Sequence, residues 1–183
     1  MEKWKFLLTR KKFFLVFVMF VLASVCYRGF ASVKHLTNDE KKRIVQEMYD
    51  DYKKTSFPDV PDISPAMAMK LMQSHQVVFV DTRTPQERRV SMLPGAISVN
   101  EFLKDSNKYR NETIISYCTI SYRSAKFTRE LNNKGFTAYN LAGGSLAWVL
   151  DGGKVYDSSG VTKRIHVYGK KWDYPPEGYQ AVW

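Results

Sequence analysis

Two short strand-forming segments each close on a polar or reactive side chain, Asp81 and Cys118, with a helix signal about five residues on or sooner. Val77 to Val80 is an unbroken apolar run ending in Asp81, which suits a strand buried on both faces. Thr84-Pro85-Gln86-Glu87 then signals a helix start. Leu93-Pro94-Gly95 forms a turn into a short strand, Ala96 to Val99. Thr113 to Tyr117 reads as a third strand with Cys118 directly after it, and Ser124 to Asn133 as a helix stopped by Gly135. Thr137 to Leu141 is a fourth strand, Gly143-Gly144 a turn, and Leu146 to Leu150 a short helix. Strands alternating with helices predict an α/β domain with a mainly parallel central sheet flanked by helices.

Before this region, Thr37 and Glu40 have capping-box spacing. Ile44, Val45, Met48, Tyr49 and Tyr52 recur at helical intervals, predicting a helix from about Asn38 to Lys54. The stretch Phe57 to Asp62, with two prolines, reads as a linker. Ser64-Pro65 opens a second helix, whose Met67, Leu71 and Met72 are expected to face the core.

A length of 183 residues fits one domain, and the net charge of +10 is divided evenly. Residues 1–31 hold six basic and one acidic side chain, and the rest hold 22 and 17, so each part contributes +5. The second surplus is dispersed among acids, which argues against a nucleic-acid partner and leaves a mildly basic surface able to favour small anions. Lys3, Lys5, Arg10, Lys11 and Lys12 precede an apolar run from Phe13 to Cys26, the pattern of an export signal. Two outcomes stand open: cleavage after Ala31, or an uncleaved anchor over residues 13–33. Either carries the domain to the periplasmic or extracytoplasmic side, and membrane contact is expected only for the anchor. His35, His75 and His166 are isolated, so neither a metal site nor a cofactor is expected.

Cys26 and Cys118 are the two cysteines. Cys118 stands at the carboxyl end of a predicted buried strand, the edge where open α/β sheets gather ligands. If the residues after it curl, their N–H groups point inward and the following helix adds partial positive charge, forming a site for an anion. Such a field also favours thiolate over thiol, with cysteine values falling from about 8.5 to roughly 3.5–7.5 in comparable settings. Arg123 adds a permanent charge at the rim.

From about Asp62 to Tyr156 the chain resembles a rhodanese homology domain. The resemblance rests on Val78-Phe79-Val80-Asp81-Thr82-Arg83, Leu93-Pro94-Gly95-Ala96-Ile97, Tyr117-Cys118 through Arg123-Ser124, and Leu141-Ala142-Gly143-Gly144 through Ala147-Trp148, in the family's order. It implies a three-layer rhodanese-like fold over 62–156, after an N-terminal helix and linker (32–61) and before an aromatic, basic extension (157–183). It also implies a sulfurtransferase in which Cys118 is the nucleophile and Arg123 closes the loop. Thr119, Ile120, Ser121 and Tyr122 would offer backbone amides to substrate, with Ser124 beside them. Asp81 and Arg83 would brace the loops. The partners implied are a small anionic sulfur donor and a thiol acceptor. Ser121 stands where the family often has glycine, so an unusual φ or a tighter loop is expected there. Met92 stands where a histidine is usual. Two other readings share the fold: a non-enzymatic sulfur-carrier or binding module, and a phosphatase or arsenate reductase. The last have one more residue between Cys and Arg than the four found here. The extension, rich in Tyr, Trp and Lys, is expected to cover the domain, with docking of a protein partner as the alternative.

Overall fold

The computed structural model describes residues 35–73 and 77–183. The export signal or anchor predicted within 1–33 therefore lies outside the described residues, as do Cys26 and His75. Helix α1 (Asn38–Ser56) starts with the capping box: Thr37 Oγ1 accepts from Glu40 N, and Thr37 N donates back to Glu40 Oε2. Strand β1 (Asp62–Ile63) and helix α2 (Pro65–Met72) follow. Strand β2 (Val77–Asp81), helix α3 (Pro85–Val90), strand β3 (Ile97–Ser98) and helix α4 (Val99–Lys104) come next. Strand β4 (Thr113–Tyr117), helix α5 (Tyr122–Asn133), strand β5 (Thr137–Leu141) and helix α6 (Gly144–Leu150) complete the alternation.

Five strands form one sheet in the order β1-β5-β4-β2-β3, every pairing parallel. The two-residue period of a strand divides the core into two layers. From β2 and β4, Phe79, Ile115 and Tyr117 join a cluster with Val45 of α1, Ala68 of α2 and Leu146, Trp148 and Val149 of α6. Val80 and Ile114 join the other, with Phe102 of α4 and Leu131 of α5. Helices thus cover both faces, giving the three-layer arrangement.

Several boundaries differ from expectation for local reasons. The predicted strand Ala96–Val99 shrinks to Ile97–Ser98, because Ser98 and Glu101 form a capping box that draws Val99 into a helix. Helix α5 starts at Tyr122 rather than Ser124, which brings Tyr122 and Arg123 into its first turn. The stretch read as a linker is anchored: Phe57 and Val60 are buried with Ala125, and Asp62 belongs to the edge strand. Met67 is 48% exposed, because Ala68 takes the inward position of α2, while Leu71 and Met72 lean on the core.

The extension also enters the core. After the hairpin of β6 (Val155–Asp157) and β7 (Gly160–Thr162), strand β8 (Arg164–His166) pairs in parallel with β9 (Gln180–Val182). Ile165 and Val167 are fully buried in the cluster of α1 and α6, with Trp172, Tyr174 and Tyr179 packed against it.

Candidate active site

Strand β4 delivers Cys118, a buried free thiol, to the carboxyl edge of the sheet. The strand end is pinned from both sides. Thr82 N and Oγ1 each donate to the Tyr117 carbonyl at 3.0 Å. The Tyr117 hydroxyl donates to Asp81 Oδ2 at 2.6 Å and accepts from Leu93 N at 3.2 Å. Burial, followed by the Asp81 charge, pushes that phenol well above its ordinary value, so it stays a donor. Asp81 also receives Arg83 Nε at 2.9 Å and Nη2 at 2.7 Å, and the same Nη2 reaches the Ser91 carbonyl. Asp81 and Arg83 therefore bind each other and the strand ends, away from the Cys118 cavity.

The loop after Cys118 is shaped by α6. Ser145 N donates to the Cys118 carbonyl at 2.8 Å and Leu146 N to the Thr119 carbonyl at 3.2 Å. In a trans peptide the N–H points opposite to the C=O, so the Thr119 and Ile120 amides face away from α6. This approach requires Gly144: a Cβ there would lie 2.4 Å from the Cys118 carbonyl oxygen, and its φ is +62°.

Ser121 ends the loop at φ 73°, the one left-handed non-glycine among the described residues. Its Oγ donates to the Leu141 carbonyl, and its own carbonyl accepts from Ala125 N at 3.0 Å to start α5. The hydroxyl thus has a partner that glycine would lack.

Cys118, Thr119, Ile120, Tyr122 and Arg123 line a cavity of about 230 Å³, together with Tyr168 and Trp172. Ser121 and Ser124 do not line it: the fully buried Ser124 hydroxyl donates to Asn140 Oδ1 at 2.7 Å. The Arg123 guanidinium meets Glu87 twice, Nη1 to Oε2 at 2.8 Å and Nη2 to Oε1 at 2.6 Å. Its face lies 5.5 Å from the centre of the Tyr168 ring. Glu87, and then the Cys118 sulfur, hold the arginine charged against the effect of burial.

Glu87 does three things at once. It closes the capping box of α3 through Thr84, pairs with Arg123, and accepts from Thr119 Oγ1 at 3.4 Å. Burial alone raises a carboxyl, but Arg123 and the Thr84 amide outweigh it and hold Glu87 at about 2. His166 Nδ1 lies 3.5 Å from Glu87 Oε1. Burial, assisted by the Arg83 and Arg123 charges, holds this imidazole below its ordinary value despite Glu87.

Glu87, His166, Tyr168 and Trp172 were not among the expected site residues. Glu87 was hidden because its capping-box role already accounts for a glutamate at that spacing. His166 and Tyr168 carried a weak signal: in Ile165-His166-Val167-Tyr168, apolar and polar-tipped residues alternate as on a half-buried strand.

A family model described as a rhodanese-like domain matches residues 64–151. A tRNA sulfurtransferase of Desulfurococcus amylolyticus is 37% identical over 67 residues, covering 37% of this chain and 14% of that protein. A sulfurtransferase of Allochromatium vinosum is 29% identical over 93 residues, covering 49% of this chain and 87% of that protein. The crystal structure of a thiosulfate sulfurtransferase from Pseudomonas aeruginosa superposes with a TM-score of 0.51 at 20% identity, covering 63% of this chain and 23% of that one. At that identity the last likeness speaks for the fold alone. The parallel five-stranded sheet, with the cysteine loop at its carboxyl edge and the family match over 64–151, gives the chain a rhodanese-like α/β fold.

Proposed function

We propose that the protein is a sulfurtransferase that carries sulfane sulfur as a persulfide on Cys118. One observation carries the reading: a buried thiol at a strand end opens into a small cavity, between outward-turned loop amides and the Arg123 that begins the next helix. The Cys118 thiolate attacks the outer sulfur of a donor such as thiosulfate. The sulfur–sulfur bond breaks and sulfite leaves with its electron pair. An acceptor thiolate then attacks the outer sulfur of the persulfide and returns Cys118 as thiolate. This is covalent catalysis in two displacements, with no net redox change in the protein. Loop amides and the α5 N-terminus offer donors to the anionic sulfur species. The names of the relatives support the reaction class.

The test is peptide mass mapping after incubation with thiosulfate, followed by cyanide. The expected result is one added sulfur atom on the Cys118 peptide, discharged by cyanide and absent in Cys118→Ser. Cys118-dependent aryl-phosphatase turnover without sulfur loading would replace this reading with the phosphatase one. The basic, then apolar N-terminus supports export of the domain, and N-terminal sequencing of protein recovered outside the cytoplasm tests it.

A further inference from the structure

The cavity over Cys118 is built by more than the rhodanese-like segment. Residues 64–151 supply its floor, the loop from Cys118 and the first turn of α5. Its outer wall comes from the extension. In β8 and just beyond, Ile165 and Val167 turn into the core, so the two-residue period turns His166 and Tyr168 toward the loop. Gly169 then starts a 3₁₀ turn, with Trp172 N donating to its carbonyl at 2.8 Å, and this brings Trp172 to the cavity. The Trp172 ring meets Tyr52 of α1 edge-on at 6.4 Å, and Tyr52 meets Tyr122 at 5.9 Å. Tyr52 is backed in turn by Tyr49 at 5.4 Å. The wall is therefore aromatic and braced from a helix that also lies outside the matched segment.

The polarity of the cavity is equally particular. Arg123 is the one cation among its lining residues, and both its terminal nitrogens are engaged by the two oxygens of Glu87. The pairing leaves the loop amides and the α5 N-terminus, rather than a free guanidinium, to meet an anion. Beyond Arg123, Cys118 and Thr119, the lining is Ile120 and the rings of Tyr122, Tyr168 and Trp172. A cavity of about 230 Å³ has room for a thiol on a compact hydrocarbon body.

We infer that Tyr168 and Trp172 are specificity-determining residues that select, as the sulfur acceptor, a small thiol carrying an apolar or aromatic group. The inference rests on the sulfurtransferase reading and deepens it. The thiolate of the acceptor attacks the outer sulfur of the Cys118 persulfide, the new bond forms on that sulfur, and Cys118 leaves as thiolate with the old bond's electron pair. The acceptor's hydrocarbon body lies against the aromatic wall while its sulfur faces Cys118. Anionic thiols gain no such contact and find Arg123 already paired.

The experiment loads Cys118 of the full chain with inorganic polysulfide, confirms the added sulfur by mass, and measures discharge by phenylmethanethiol and by 2-mercaptoethanesulfonate. The wild-type chain is expected to prefer phenylmethanethiol in kcat/KM by about tenfold or more, the scale on which pocket contacts discriminate. Tyr168 is 63% exposed, so Tyr168→Ala tests the wall without disturbing the core. It is expected to reduce the preference severalfold through KM for phenylmethanethiol, and Tyr168→Phe to keep it. Trp172→Phe is expected to keep most of the preference and Trp172→Leu to lose more. Loading without any preference, or a preference that survives Tyr168→Ala and Trp172→Leu, overturns this inference and leaves the sulfurtransferase reading standing. Failure of Cys118 to load overturns both.

Discussion

Arg123 and Glu87 face each other as a planar fork on a carboxylate, 2.8 and 2.6 Å apart at their two contacts, and so tie the first turn of α5 to the first turn of α3. Arg123 is about a third exposed and Glu87 is nearly enclosed, so the two ends of the pair differ in what their loss exposes. Arg123→Ala leaves a buried carboxylate without its main partner, whereas Glu87→Gln leaves an arginine that water can still reach. The expected order of destabilisation in urea is Arg123→Ala above Glu87→Gln, with the first costing about 2–3 kcal/mol after allowance for partial exposure. Glutamine can still close the capping box with Thr84, so a reversed order would show that the enclosed Glu87 carboxylate is satisfied without Arg123.

The same two variants are expected to separate in sulfur transfer. Arg123→Ala removes a group at the reacting sulfur, and losing one such stabiliser costs about 10²–10³ in turnover. Glu87→Gln releases the guanidinium charge toward the cavity, so the KM for thiosulfate should fall even where turnover falls. Steady-state kinetics with thiosulfate and cyanide give both parameters, and an unchanged or higher KM in Glu87→Gln would remove the charge-pairing explanation.

Acid is expected to destabilise the fold in two stages. His166 sits below its ordinary 6.5 in the folded protein, so as pH falls through 6.5 the unfolded chain takes up the proton first and stability declines. Glu87 is held at about 2 against 4.5, so its contribution is complete above 4.5 and is lost as pH falls toward 2. Urea midpoints measured from pH 7 down to the acid limit should show both declines. His166→Gln should flatten the upper one and Glu87→Gln the lower.

Gly144 and Gly152 both have positive φ, but their surroundings differ. A Cβ on Gly152 meets nothing within 4 Å, whereas one on Gly144 strikes the Cys118 and Thr119 backbone. Gly152→Ala should therefore cost only the left-handed penalty of about 1–2 kcal/mol. Gly144→Ala adds overpacking of about 1–3 kcal/mol and pushes the loop that carries Cys118. Sulfur transfer should drop in Gly144→Ala at temperatures where both variants remain folded, and stay at the wild-type level in Gly152→Ala.

Ser121 offers a matched pair of tests. Ser121→Gly relieves the φ of 73° but loses the bond to the Leu141 carbonyl, two effects of about 1 kcal/mol and opposite sign. Ser121→Ala keeps the strain and loses the bond. Thermal denaturation should find the glycine variant near wild type and the alanine variant clearly less stable. Equal loss in both would mean that the left-handed conformation costs nothing here.

The sequence by itself determined the layer order, the strand that carries Cys118 and the loop that follows it. Those features are local: buried strands write themselves as short apolar runs, helix starts as Thr-Pro-x-Glu or Ser-Pro, and the cysteine's place is fixed by the strand before it. Tertiary structure alone decided what surrounds the thiol. Glu87 reaches Arg123 from 36 residues away in the chain, and His166 reaches Glu87 from further still. Edge strand β1, two residues long, exists because β5 offers it an open side, which no two-residue pattern can announce. The aromatic wall follows the same rule. Tyr168 and Trp172 meet the loop because Ile165 and Val167 are drawn into a core formed by distant helices, and burial of those two side chains aims their neighbours. Periodicity encodes which residues turn inward together; which surface they turn toward is set only when the layers close.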